Sequence, residues 1–282
     1  MKNAFITDSG TGIFSEEFLK EGIISLPLQI TDTDVSYNDM VDINKEKCID
    51  LLKKEHILKT SQPITGIIYD TFMKLKDDGV ENVYAVPICS GLSGTLGSIQ
   101  SVCRELELNL IYFDTHVTAM VQDYLIKFIK KQVENNVELN DLTNDVNSVI
   151  DSTNTFLIPT DLKHFKRGGR LTPLAYGIAE ILKIVPILVI NKKTNGKIDS
   201  FAKVRSFNSA FDKVLNTMKT EINSPKFKII VSHVDSLEKA NKCKKIIEEN
   251  FPENEVSVLE LCNVVAAHSG LDCIAIQYFK AV

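Results

Sequence analysis

The chain has 282 residues, 44% apolar and 24% charged, with a formal net charge of −5. That length suits two domains, and the balance is that of a globular protein able to bury a core in each half. No dense Lys/Arg block gives a nucleic-acid footprint, the six cysteines show no zinc or C-x-x-C spacing and read as reduced, and no apolar run is long enough for a signal peptide or a membrane span, so a cytoplasmic protein without stable membrane insertion is expected.

In chain order, residues 4–7 read as a strand and 23–30 as a second, bent or placed at an edge by Pro27. Residues 44–52 read as a helix. Pro63 suits a first helical turn, and Ile64, Ile67, Ile68, Phe72 and Leu75 recur at helical spacing up to a stop at Gly79. A strand at 83–89, a Ser/Gly turn, a helix to about 106, a strand at 110–113, helices at 117–133 and 141–150 and a strand at 156–158 complete a β/α alternation. It predicts a doubly wound, mostly parallel sheet in an N-terminal domain over 1–158. The second half has another rhythm. A strand at 184–190 leads through Asn195-Gly196, a hairpin signal, into a return strand at 197–204. A helix at 207–218, a strand at 227–231, a helix at 237–249 and strands at 256–261, 264–267 and 274–279 follow. These predict a C-terminal α+β domain over 159–282 with a mixed, partly antiparallel sheet, and the fold class is α/β with two domains.

The sharpest local feature is Cys89-Ser90-Gly91-Leu92-Ser93-Gly94-Thr95, between a strand and a helix. In a parallel sheet this turn falls at the carboxyl edge, where helix N–H groups, unobstructed glycines and hydroxyls can hold a carboxylate or a phosphate. Capping and turn formation explain the same residues. A nucleophile elbow is a rival, since Ser93, Asp235 and His268 occur in the chain order of one hydrolase class; but Gly91-Leu92-Ser93-Gly94-Thr95 does not meet G-x-S-x-G. A serine hydrolase using Ser93 and a module for another anionic metabolite remain the alternatives. Thr7-Asp8-Ser9 and Asp114-Thr115-His116 also follow strands and reach the same edge, or simply form turns. Thr60-Ser61-Gln62-Pro63 precedes a helix, as caps or as ligand-facing hydroxyls. Lys166-Arg167-Gly168-Gly169-Arg170 allows a tight turn that projects guanidinium groups, with Arg170 able to pair with an anion or to serve a structural salt bridge. His268-Ser269-Gly270 closes the strand read at 264–267 and offers an imidazole to an anion or a capped core edge.

These segments together resemble the DegV family: Ile6-Thr7-Asp8-Ser9, Thr60-Ser61-Gln62-Pro63, Ser90-Gly91-Leu92-Ser93-Gly94-Thr95, Asp114, Lys166-Arg167-Gly168-Gly169-Arg170-Leu171, Ile184-Val185-Pro186-Ile187-Leu188 and His268-Ser269-Gly270, in order along the whole chain. The resemblance implies two α/β domains enclosing a long-chain fatty acid in an apolar tunnel. It implies a carboxylate bound by Thr60 or Ser61, by Ser93 with the Gly94 amide, and by His268. Arg170 is expected near the head group or a partner surface, and Asp8, Ser9, Ser90, Thr95, Asp114 and Ser269 in the supporting loops. No catalytic residue, metal or cofactor is implied. Some family members are the fatty-acid-binding subunit of a bacterial fatty-acid kinase, which implies an ATP-binding kinase subunit as partner and transient membrane contact. The run 174–190 is a source of tunnel walls. The chain departs from the family pattern at Gly10-Thr11-Gly12, at Thr118-Ala119-Met120-Val121, where bulk would reshape the tunnel, and at Leu271-Asp272, which is expected to bring Asp272 near His268.

Overall fold

The computed structural model describes residues 2–160, 162–178 and 184–282. The chain opens with β1 (Asn3–Asp8), a 3-10 turn (Ser9–Thr11) capped by the Asp8 side chain, α1 (Ser15–Lys20) and β2 (Ile24–Leu26). Then come β3 (Gln29–Asp32), β4 (Val35–Asn38), α2 (Lys45–Lys53), β5 (Leu58–Ser61), α3 (Thr65–Asp77), β6 (Asn82–Ala85), α4 (Thr95–Glu105) and β7 (Asn109–Tyr112). The chain continues through α5 (Met120–Glu134), α6 (Leu139–Ser152), β8 (Asn154–Ile158), α7 (Lys163–Gly168), α8 (Pro173–Ile178), β9 (Val185–Ile190), β10 (Asp199–Val204) and α9 (Phe207–Glu221). It ends in β11 (Phe227–His233), α10 (Leu237–Asn250), β12 (Glu255–Glu260), α11 (Asn263–Ser269) and β13 (Ile274–Lys280).

The strands form three sheets: a four-stranded sheet in the order β2-β1-β6-β7, a six-stranded sheet in the order β10-β9-β8-β13-β11-β12, and a three-stranded sheet in the order β4-β3-β5. The four-stranded sheet is parallel throughout. The six-stranded sheet is mixed, with β11–β12 parallel and its other pairs antiparallel. Side chains alternate across each strand, as the two-residue period requires. Ala4 and Ile6 pack outward with Ile68, Phe72 and Ile99 of α3 and α4, while Phe5 turns to the central core. Ile229 and Val231 pack outward with α9 and α10, while Ile230 turns to that same central core. The large sheets therefore present one face each to a middle layer that contains α5, α6 and α11.

The fold class agrees with the sequence reading, and four local expectations change. The strand read at 23–30 is two strands, because the chain leaves the first sheet at Pro27; β3 then pairs with β4 and β5, a short antiparallel sheet the sequence did not announce. The helix expected from 117 begins at Met120, because His116 and Ala119 hold φ of 56° and 64°. β8, expected to close the first sheet, pairs with β13 and β9 in the second, so sheet membership changes before residue 154. The strand read at 264–267 is helical: Cys262 is extended, and its carbonyl accepts from the Val265 and Ala266 amides at 3.0 and 2.9 Å. Val264 and Val265 lower helix propensity only weakly, and the burial of Val264 and Ala267 on one face decides. Residues 179–183 of the expected wall run lie outside the described residues; within the rest, Leu188 and Ile190 face the central core, and Ile187 and Val189 the outer one.

Candidate functional site

In the parallel sheet the chain winds from β1 to β2 on one side and resumes at β6 and β7 on the other, so β1 and β6 flank the topological switch point. Ligands of open α/β sheets bind beyond the carboxyl ends of the strands at this crevice. Asp8 ends β1 there. One carboxylate oxygen accepts the Ile88 amide at 2.8 Å, and the other accepts the Gly10 amide at 2.9 Å and Gln122 Nε2 at 2.8 Å. It thereby fixes the exit of β1 to the segment leading into the Ser/Gly turn. Ser9 accepts the Leu28 amide at 3.0 Å. Gly10 is closely surrounded, since an added Cβ would lie 2.8 Å from Asp8 Oδ1, 2.9 Å from Thr118 Oγ1 and 3.0 Å from Gln122 Oε1, and these side chains would have to shift to admit it.

In front of this support, Thr60, Ser61, Ser93, Arg170 and His268 line one cavity with Leu28, Ile88, Leu92, Phe165, Ile198, Val264 and Val265. Its volume is about 40 Å³, which suits a head group and not an alkyl chain. Thr60 is the last but one residue of β5, and its hydroxyl meets His268 Nε2 at 2.7 Å across to the last turn of α11. Ser93 Oγ meets Thr95 Oγ1 at 2.8 Å and accepts the Thr95 amide at 3.4 Å, one residue before the Gly94 that opens α4. Gln62 covers Gly94: a Cβ there would fall 2.5 Å from Gln62 Oε1. Ser90 donates its hydroxyl and amide to Asp114, which also accepts the His116 amide at 3.2 Å and so holds the rim of the turn.

His268 is held from behind. Gly168, the last residue of α7, is so close that a Cβ on it would lie 2.1 Å from His268 Nδ1. Burial, then the Arg170 guanidinium and His164, pull the imidazole down to about 4, so it is neutral at pH 7. Gly169 turns the chain with φ 67°, a left-handed value that glycine adopts without strain. Arg170 then donates Nε to Leu92 O at 3.2 Å and Nη1 to Gly168 O, tying α7 to the Ser/Gly turn. The expected basic turn is thus one wall of the cavity, with its arginine partly buried.

Other expected residues lie elsewhere. Ser269 is buried beside Cys273, behind the cavity. Asp272 accepts Ser236 Oγ at 2.5 Å, and its carbonyl accepts Thr160 Oγ1 at 3.4 Å. Met120 lines a separate groove with Tyr124, Phe128 and Phe279. The hydrogen bonds of a Ser93–His268–Asp235 relay are not formed: Ser93 bonds Thr95, His268 bonds Thr60, and Asp235 pairs with Lys53 at 2.9 Å. Among the described residues no His/Cys/Asp/Glu group could hold a metal ion.

Sequence reading missed three buried polar groups, Gln122, Asp39 and Asn263. None belongs to a recognisable motif, and only the fold shows what each one faces. Burial pushes Asp8 up to about 6 against the opposing hydrogen bonds from Gln122, Ile88 and Gly10. Burial, with the negative Asp8 adding, pushes Asp39 up to about 7. Both are raised above the ordinary 3.8, so the folded chain favours the protonated carboxyls. Their stabilisation is complete below about pH 4 and is lost as pH rises through about 6 and 7. The urea midpoint should therefore be higher at pH 5 than at pH 8, and Asp39→Asn should flatten the profile. A midpoint that rises steadily over this interval would contradict it.

The α/β layering, with a cavity lined by Thr60, Ser61, Ser93, Arg170 and His268, defines an α/β protein with two large sheets and a polar pocket beside the Ser/Gly turn. The chain belongs to the DegV family: the family model described as "Uncharacterised protein, DegV family" matches residues 2–281. A DegV domain-containing protein of Staphylococcus aureus (strain N315) is 26% identical over 280 residues, 99% of each chain, and one of Halalkalibacterium halodurans is 27% identical over 281 residues, 99% of this chain and 98% of the relative. The fold matches the crystal structure of a fatty acid binding DegV family protein from Streptococcus agalactiae with a TM-score of 0.88 at 24% identity, covering all of both chains. It matches DegV of Bacillus subtilis, described as a fatty acid binding protein, with a TM-score of 0.87 at 22% identity over 99% of each chain. No described helix is long and apolar enough to cross a membrane.

Proposed function

We propose that the chain is a fatty-acid carrier that performs no chemistry on its ligand. The observation that carries this reading is the convergence of Thr60, Ser61, Ser93, Arg170 and His268 on one cavity whose remaining walls are apolar. The Thr60, Ser61 and Ser93 hydroxyls, the Gly94 amide and His268 bind the carboxylate, and Arg170 supplies the positive charge. The tail lies between the two large sheets, in two units whose junction we place before Asn154, since β8 belongs to the second sheet. Its burial contributes ~0.8 kcal/mol per methylene, on the order of 10 kcal/mol for a long chain before costs, while the head group sets orientation. Entry of the tail requires Leu28, Leu92, Phe165 and Val264 to move apart. Relatives described as fatty acid binding support the ligand class. The carrier is cytoplasmic, needs no cofactor, loads by transient membrane contact and presents the carboxylate to a separate ATP-binding kinase subunit.

Native mass spectrometry of protein purified from cells tests the reading; a chain that neither carries nor takes up fatty acid overturns it. Ser93→Ala should weaken fatty-acid binding by about tenfold, the loss of one hydrogen bond, with the fold intact. Unchanged affinity would remove Ser93 from the head-group site, and fluorophosphonate labelling lost in Ser93→Ala would favour a hydrolase instead. Displacement of a bound fluorescent fatty acid by phosphorylated metabolites, and not by fatty acids, would favour the anionic-metabolite module.

A further inference from the structure

Hydrogen bonds tie the three-stranded sheet and the turn after it to both ends of α11. One is the Thr60–His268 hydrogen bond at 2.7 Å, inside the cavity. Another lies at the opposite end of the helix. Asp39, one residue past β4 and fully buried, accepts Asn263 Nδ2 on Oδ1 at 2.9 Å; Asn263 is itself 1% exposed and is the first residue of α11. The second carboxylate oxygen is buried and makes no hydrogen bond within the usual distance and angle, although the nearby Ser9 hydroxyl still opposes the upward shift of this carboxyl. A buried carboxyl with an unsatisfied oxygen is costly to keep, which calls for a role beyond packing. Asp39 is also anchored on its own side, where its amide donates to Leu28 O at 2.8 Å, and Leu28 is a cavity wall.

Asn263 and His268 are five residues apart, ~7–8 Å along a helix axis. A carboxylate entering the cavity competes for the groups that now make the Thr60–His268 bond. Once that bond opens, α11 needs another tether to keep Val264, Val265 and His268 on the cavity. We propose that Asp39 is a positioning residue for the ligand site: through Asn263 it fixes the start of α11, and so the reach of His268, independently of whether Thr60 and His268 are bonded. This rests on the carrier reading of the cavity. Asp39 touches no ligand, and its effect is exerted through the helix.

The test compares Asp39→Ala, Asn263→Ala and Asp39→Asn in the full chain, with circular dichroism to report folding. The first readout is the imidazole ¹⁵N spectrum of His268 without ligand. The second is affinity for oleate, a long-chain fatty acid, by calorimetry. Asp39→Ala and Asn263→Ala should shift the His268 resonances and weaken oleate binding by about tenfold, the loss of one buried hydrogen bond. Asp39→Asn keeps an oxygen that can accept from Asn263 and should restore both readouts. Unchanged His268 resonances in folded Asn263→Ala overturn the proposal, as does Asp39→Asn behaving like Asp39→Ala. Should Asp39→Ala fail to fold, Asn263→Ala alone decides. Should the wild type bind no oleate, the carrier reading fails, and the His268 spectrum still judges the tether.

Discussion

Gly168→Ala should lower fatty-acid affinity by ~10–100-fold, the cost of removing a strong hydrogen bond from the head group. The added Cβ would stand 2.1 Å from His268 Nδ1, 2.7 Å from Cε1 and 3.1 Å from Cγ, so the imidazole cannot stay where it is. α7 cannot easily yield, because Gly169 turns the chain behind it and Arg170 ties that turn to Leu92 O. The ring must leave Thr60, and on the proposed carrier reading a bound carboxylate would lose one of its partners. Titration with a fatty acid beside His268→Ala measures this: the two variants should be similarly weak, and wild-type affinity in Gly168→Ala would place His268 outside the head-group site.

Gly91→Ala should cost stability instead, by about 3 kcal/mol, the upper range for overpacking. Its Cβ would lie 2.3 Å from both the carbonyl carbon and oxygen of Gly196 and 2.6 Å from Asn195 O. These are backbone atoms, so no side chain can rotate away. The connection between β9 and β10 must separate from the Ser/Gly turn, disturbing the Cys89 Sγ to Gly196 O contact at 3.5 Å. Thermal unfolding checks this, with Gly97→Ala as the control: Gly97 lies inside α4 with open space around its Cβ position, where alanine should stabilise by ~0.5–1 kcal/mol. Equal melting temperatures for the two variants would contradict the close approach of hairpin and turn.

The parallel sheet and the cavity residues were legible in the sequence for separate reasons. β1, β6 and β7 each couple an apolar run to a polar turn, and a turn after a parallel strand has only one sheet edge to occupy. The motifs then supplied Thr60, Ser93, Arg170 and His268, which the fold brings to one cavity although 208 positions separate Thr60 from His268. Three things were not legible. β3, β4 and β5 are four residues each and partly polar, too short for a two-residue period to stand out. Val264 and Val265 carry strand propensity, and the buried helical face that overrides it is a tertiary fact. The pairing of Asp39 with Asn263 spans 224 positions and leaves no local pattern.

The place of β13 bears on how the protein is made. It pairs with both β8 and β11, at the middle of the six-stranded sheet. The parallel sheet uses strands from Asn3–Asp8 to Asn109–Tyr112 and can assemble early in synthesis. The second sheet waits for Ile274–Lys280 to leave the ribosome, and until then β8 and β11 each expose an edge that seeks a partner. The nascent chain therefore carries one half formed and one half open, and its exposure to misassociation lasts until β13 has emerged to fill the place between β8 and β11.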